Sequence, residues 1–211
     1  MPVQLRFETG PAGAEYVNRK LWRLASLPHC PLHPHGSCGL ARHGTYERKS
    51  PPGTRIARWY CRQGHRTFSL LPDHLAARLP GTLEQVEAAA AAAEAAASLQ
   101  GCADALRPDP VALPAALRWL RRRVQPVRHL LALTVTLLAP LLQGCAPTLA
   151  ALGPRLGVAA GEVLTRLRRV LAAHLPALAA PLGFGPRHRG RAGAAGARQQ
   201  HPGPDPPAGA A

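Results

Sequence analysis

The chain has 211 residues and a formal charge of +15, from 26 Lys+Arg against 11 Asp+Glu. That length holds one or two domains with a real core and argues against a large multidomain enzyme. Five cysteines, odd and sparse, argue against a disulfide-rich secreted fold, 4% aromatics against a β-sandwich or barrel, and 46% hydrophobic residues against full disorder.

Only Lys20 and Lys49 among the cations are lysine, so part of the charge reflects an arginine-, alanine- and proline-rich composition. A strongly basic chain still takes polyanions as its default partners. The charge is uneven. Residues 1–79 hold seven of the nine aromatics and a charge of +8, from twelve cations and four acids.

Residues 1–24 form a polar lead-in, interrupted by Arg6, Glu8, Glu15, Arg19 and Lys20, with no continuous apolar stretch of a secretory signal. The expected compartment is the reducing cytoplasm, where cysteines serve as ligands or buried thiols.

Residues 25–80 carry the informative segment, Cys30-Pro-Leu-His33-Pro-His35-Gly-Ser-Cys38 followed by Cys61-Arg-Gln-Gly-His65. Two short loops of donors separated by about 27 residues have the spacing of a zinc ribbon, because structural Zn2+ takes four thiolate or imidazole ligands in a tetrahedron. Four of Cys30, His33, Cys38, Cys61 and His65 are the candidate ligands, with Cys38 an alternative to His33 and His35 a spare. Between the loops the sequence predicts an antiparallel hairpin. His43-Gly-Thr-Tyr-Glu-Arg48 is one strand, Ser50-Pro-Pro-Gly-Thr54 the turn, and Arg55-Ile-Ala-Arg-Trp-Tyr-Cys61 the return strand.

The ordered series Cys30-Pro-x-His33, Arg42-His43-Gly44-x-Tyr46-x-Arg48, Arg58-Trp-Tyr-Cys61 and Arg66-Thr-Phe-Ser-Leu-Leu-Pro72-Asp73 resembles the N-terminal zinc ribbon of bacterial insertion-sequence transposases and transposase-like proteins. The resemblance covers about residues 29–80. His33 stands where that family usually has its second cysteine, and His65 comes one residue late. It implies a zinc-dependent DNA-binding protein. The candidate DNA contacts in the ribbon are Arg42, Arg48, Lys49, Arg55, Arg58, Arg62 and Arg66, with Tyr46, Trp59 and Tyr60 as packing or stacking groups.

Residues 81–107 predict an Ala-rich helix, N-capped by Thr82 with Glu84 in its first turn and ended by Gly101. Residues 111–182 predict a helical domain. One helix starts near Pro114 and runs to about Val124, Pro126 forces a break or kink, and another spans about 127–139. Segments at about 148–156 and 161–174 follow, and 148–172 resembles a helix-turn-helix that would present Thr165, Arg166, Arg168 and Arg169 to DNA. Cys102 and Cys145 read as core thiols, and the Arg118 and Arg121–123 cluster beside Trp119 as either a phosphate grip or an exposed helix end. Residues 130–153 carry no charged side chain, which raises a membrane anchor as an alternative, although Pro140, Gln143, Gly144 and Pro147 interrupt the stretch. Residues 183–211, rich in Gly, Pro and Ala, read as a disordered tail.

The expected class is α+β, mostly α. Nuclease or transposase chemistry would need several carboxylates around divalent metals, and after residue 110 the only acids are Glu162 and Asp205. No phosphate loop or nucleophile elbow is present, so the chain reads as a recognition module without a catalytic half. DNA is its expected partner, with no small-molecule substrate and with a homodimer left open. A zinc-stapled protein-interaction module is the alternative from another class.

Overall fold

A computed structural model of the chain describes residues 3–10, 13–106 and 113–185. The proline-containing linker at 108–110 and the tail from residue 186 onward lie outside the described residues. The fold is α+β and mostly α.

The N-terminal half is built on a four-stranded sheet: β1 (Val3–Phe7), β2 (Ala41–Glu47), β3 (Arg55–Cys61) and β4 (Arg66–Pro72), in the order β1-β4-β3-β2. The hairpin read from the sequence is β2 and β3, antiparallel, with Tyr46 opposite Ile56 and Glu47 opposite Arg55. The register shifts between Arg42 and Thr45, where Gly44 takes a φ of 78° and forms the bulge. β3 pairs antiparallel with β4, and β1 runs parallel to β4 with Arg6 opposite Leu71. The lead-in therefore supplies a strand of the same sheet. Val3, Leu5 and Phe7 alternate with Gln4 and Arg6, which is a strand pattern, but its five residues lie in a segment read as a polar lead-in.

Alternation sorts the sheet into two faces. Ala57, Trp59, Cys61, Phe68 and Leu70, with Leu5 and Phe7 of β1, pack against the 25–40 segment. Ile56 and Leu71 point the other way, toward Leu75, Ala77 and Phe184. A short helix, α1 (Ala14–Asn18), and a 3-10 turn (Leu21–Arg23) bridge β1 to the first donor loop.

The helical half contains α2 (Leu83–Ala95), α3 (Leu99–Leu106), α4 (Leu113–Leu137), α5 (Ala139–Leu142), α6 (Leu149–Leu156) and α7 (Val163–Val170). Thr82 caps α2 through a capping box. Its Oγ1 accepts from the Gln85 amide at 3.1 Å, and Gln85 Oε1 accepts from the Thr82 amide at 3.1 Å. The Ala-rich segment does not run on to Gly101. It stops at Ala95, and Ser98 starts a second helix by accepting from the Gly101 amide at 3.0 Å, so Gly101 lies within α3. Pro126 does not divide α4 either. The helix runs through it because Val124, Val127, Leu130 and Leu131 stay buried on one continuous face. The apolar stretch 130–153 is spread over the end of α4, α5, a loop and α6. No described helix is long and apolar enough to cross a membrane.

α6 and α7 meet as two short helices across Gly157, whose φ of 64° ends α6 in the left-handed conformation. Leu152, Leu156, Val163 and Leu167 are buried in one core, with Val158 partly buried against it. Two carboxylates of α2 hold this pair. Glu87 accepts from the amides of Gly161 (2.7 Å), Val163 (3.2 Å) and Leu164 (2.8 Å) at the start of α7. Glu94 accepts from the Leu149 amide at 3.0 Å at the start of α6. Each carboxylate satisfies orphan amides at a positive helix end. Residues 183–185, assigned to the tail by composition, are packed: the Phe184 amide donates to Leu175 O and the Gly185 amide to Leu178 O, both at 2.8 Å.

Candidate metal centre

The first donor loop leaves Leu27 and turns tightly at Cys30-Pro-Leu-His33, where the His33 amide donates to Cys30 O at 3.1 Å. It turns again at Gly36, whose amide donates to His33 O at 3.0 Å, and this brings Cys38 back over the sheet. The second donor stands at the end of β3, where Cys61 points to the same face as Trp59 and Phe68. The Gln63 amide donates to Cys38 O at 3.2 Å and ties the two loops together.

The result is a cluster of Cys30, His33, Cys38 and Cys61 whose ligand atoms all lie within 4.8 Å of one another and can hold a metal ion. His33 Nδ1 stands 3.5 Å from Cys30 Sγ and 3.4 Å from Cys61 Sγ. The three thiols are buried and form no disulfide. Backbone amides point at the sulfurs: Leu32 N–H at Cys30, Leu40 N–H at Cys38, and Gly64 N–H at Cys61 at 3.2 Å. Such donors favour thiolate, the form that ligates metal. A Cβ at Gly64 would fall 2.8 Å from Leu32 Cδ1 and 3.3 Å from both Cys61 Sγ and His33 Cε1, so glycine keeps the loop close to the cluster.

Electrostatically the cluster stabilises one thiolate before any ion arrives. Burial alone pushes the Cys30 thiol up, but His33, the Leu32 amide, Cys61 and Cys38 together outweigh it and bring Cys30 down to about 7. Cys38 moves up, first through burial and then through its two sulfur neighbours.

No family model, curated protein or solved structure matches the chain.

The geometry arranges the donors three and one: Cys30, His33 and Cys38 come from one loop, and Cys61 alone from the other. Cys38 and His33, alternatives by spacing, stand in the cluster together. His65 is outside it. Its backbone takes a φ of 46° and its Nδ1 lies 3.1 Å from the Tyr60 hydroxyl on the exposed side of β3. His35 is exposed and also outside.

The cations proposed for DNA divide into two groups. Lys49, Arg55, Arg62 and Arg66 are exposed and Arg58 is half-buried. Arg166 and Arg169 are exposed on α7, and Thr165 is half-buried. Three arginines are already hydrogen-bonded to the chain's own carbonyls: Arg42, which stays exposed, Arg48, half-buried, and Arg168. Arg42 donates to the carbonyls of Arg23 (2.8 Å) and Trp22 (2.7 Å), and Arg48 to those of Ala76 and Leu79. Arg168 is fully buried and corrects the reading of α7 most sharply. It donates to the carbonyls of Pro72, Asp73 and Leu75 on one side and Pro181 and Leu182 on the other. Burial pulls its pKa down to about 9, yet it remains a cation that clamps the exit of β4 to the end of the chain's packed region. The signal was present in the sequence, since Arg168 lies four residues after Leu164 and three before Leu171, on the apolar stripe of α7. Of the proposed stacking groups, Trp59 packs beside the thiol cluster and Tyr46 beside Ile56, while Tyr60 lies half-buried with its ring 5.6 Å from His43.

Proposed function

We propose that the protein is a zinc-stapled DNA-binding module in which the metal holds the sheet as a rigid basic platform. The observation that carries this reading is the buried Cys3His cluster. For zinc, bond lengths of about 2.3 Å to sulfur and about 2.05 Å to nitrogen in a tetrahedron give edges of about 3.5 Å between S and N. The two sulfur–nitrogen separations here are 3.4 and 3.5 Å. Cysteine-rich sites of this composition select zinc over the hard cations, which prefer oxygen. The residues therefore fit the ion, and Cys30, His33, Cys38 and Cys61 would hold it. Bound zinc supplies no chemistry to a substrate in such a closed site. It contributes folding free energy on the order of 10 kcal/mol.

DNA follows from what the staple fixes. Lys49, Arg55, Arg62 and Arg66 are exposed on and around the hairpin, Arg58 is half-buried on β3, and Arg166 and Arg169 are exposed on α7. This is the arrangement the resemblance to transposase zinc ribbons implies, with recognition and without a catalytic half. Phosphate contacts release counterions, and five cations of the ribbon engaged together give a slope of log K against log salt of about −4.5.

The test is anisotropy of labelled duplex DNA titrated with zinc-loaded protein at several salt concentrations, alongside metal analysis of the wild type and Cys61→Ser. One zinc per chain, lost in the variant, and a steep salt dependence are expected. Zinc-loaded protein with no DNA affinity at low salt rejects the DNA reading. It leaves the protein-interaction module, which Leu137 and Leu141, 41% and 49% exposed at the end of α4 and on α5, favour.

A further inference from the structure

On the side of α4 away from α3, the structure contains a half-open cleft of about 980 Å³. Arg122, Pro126, His129 and Leu133 line it from α4 at intervals of four, three and four residues, which is one face of a helix. The 78–80 turn and the 179–185 segment form the opposite walls. The floor is leucine, proline and alanine. The charged groups are Arg78 and Arg122, His129 adds a polar ring, and among the described residues no acidic side chain lines the cleft. The volume is at the upper end of small-molecule sites, about 300–1,000 Å³, which combine apolar walls with a few polar groups.

Two details set the cations toward an anion. Arg78 has a φ of 57°, a left-handed backbone unusual for a non-glycine residue. One arm of its guanidinium donates to Phe184 O at 2.9 Å, which orients the side chain on the cleft wall. Arg122 stands exposed at the rim, four residues before Pro126. Arg78 and Arg122 both line the cleft, one from the 78–80 turn and one from α4, and a guanidinium is a donor suited to a carboxylate.

We propose that this cleft binds a free amphiphilic carboxylate, its acid group between Arg122 and Arg78 and its apolar body along Leu130, Leu133 and Pro126. The inference is independent of the metal centre and adds a small-molecule ligand where the sequence suggested no substrate. The test is calorimetric titration of the full chain with octanoate and with octan-1-ol. Octanoate binds with a Kd in the millimolar range or tighter, and the alcohol at least about tenfold more weakly. Arg122→Glu lowers octanoate affinity at least about tenfold with an unchanged melting curve, while Arg155→Glu, exposed on α6, alters it less than about twofold. If Arg122→Glu disturbs folding, Leu133→Trp, which fills the cleft, takes its place with the same expectation. Equal binding of acid and alcohol, unchanged affinity in both cleft variants, or no octanoate binding up to about 5 mM overturns the proposal.

Discussion

Arg168→Met keeps an unbranched side chain of similar reach and removes the guanidinium. Five carbonyl oxygens, of Pro72, Asp73, Leu75, Pro181 and Leu182, then lose donors at distances of 2.6 to 3.4 Å. A buried acceptor left without its partner costs about 1–3 kcal/mol, so even the low end sums to about 5 kcal/mol. Part of this returns, because the burial that lowers the Arg168 pKa also makes its charge costly to keep. The net expectation is about 3–4 kcal/mol, a large share of the roughly 5–15 kcal/mol that holds a domain folded. Urea unfolding followed by far-UV circular dichroism measures it, with Arg169→Met as the control: Arg169 is exposed one position along and should cost less than about 0.5 kcal/mol. If Arg168→Met unfolds within about 1 kcal/mol of the wild type and loses DNA affinity instead, the internal clamp is wrong and α7 reads DNA through this residue.

Glu87→Ala strands three amides at the start of α7 and should destabilise the chain by about 2–4 kcal/mol. Glu94→Ala, which strands only the Leu149 amide, should cost about 1 kcal/mol, and thermal melts of the two variants check the ratio. His74 is buried with neither ring nitrogen hydrogen-bonded, and its ring lies 5.2 Å from that of Tyr16. Burial first, then Arg168 and Arg48, lower its pKa from 6.5 to about 4. The unfolded chain therefore takes a proton that the folded chain refuses between these values. Stability falls as pH drops from 6.5 toward 4, by about 3 kcal/mol from this group, and levels off below. His74→Phe removes that component. An acid loss in the variant as large as in the wild type would show that His74 is not its source.

The elements legible in the sequence were those with local grammar. The β2–β3 hairpin carried β-branched and aromatic strands around a Pro-Pro-Gly turn, the Thr82 cap stood before an alanine run, and Gly157 separated two apolar helical patterns. What stayed hidden depends on contacts distant in sequence. Val3–Phe7 alternates apolar and polar residues, but its place in the sheet rests on Phe68–Pro72, 65 residues away. Pro126 stays helical because tertiary burial of Val124, Val127 and Leu131 outweighs one lost backbone hydrogen bond. Ser98 was a better stop-and-start signal than Gly101, which propensity alone overweights. At the metal centre, spacing supplied the donors but not their selection. The left-handed backbone at His65 sends its ring toward Tyr60, and the turn at Gly36 returns Cys38 to the sheet beside His33. Glu87 and Glu94 look like solvated charges in a helix and only the placement of α6 and α7 gives them partners.

The parallel pairing of β1 with β4 fixes an order of events during synthesis. Phe7 and Pro72 are register partners, so the first strand leaves the ribosome about 65 residues before its neighbour exists, roughly 3–13 s at about 5–20 residues per second. All four donors, by contrast, are present once Cys61 has emerged. A metal-loaded hairpin can therefore form while Val3–Phe7 is still waiting, and β4 then arrives as the strand that joins the two. Of the four strands, the first to be made can pair only once the last has been made.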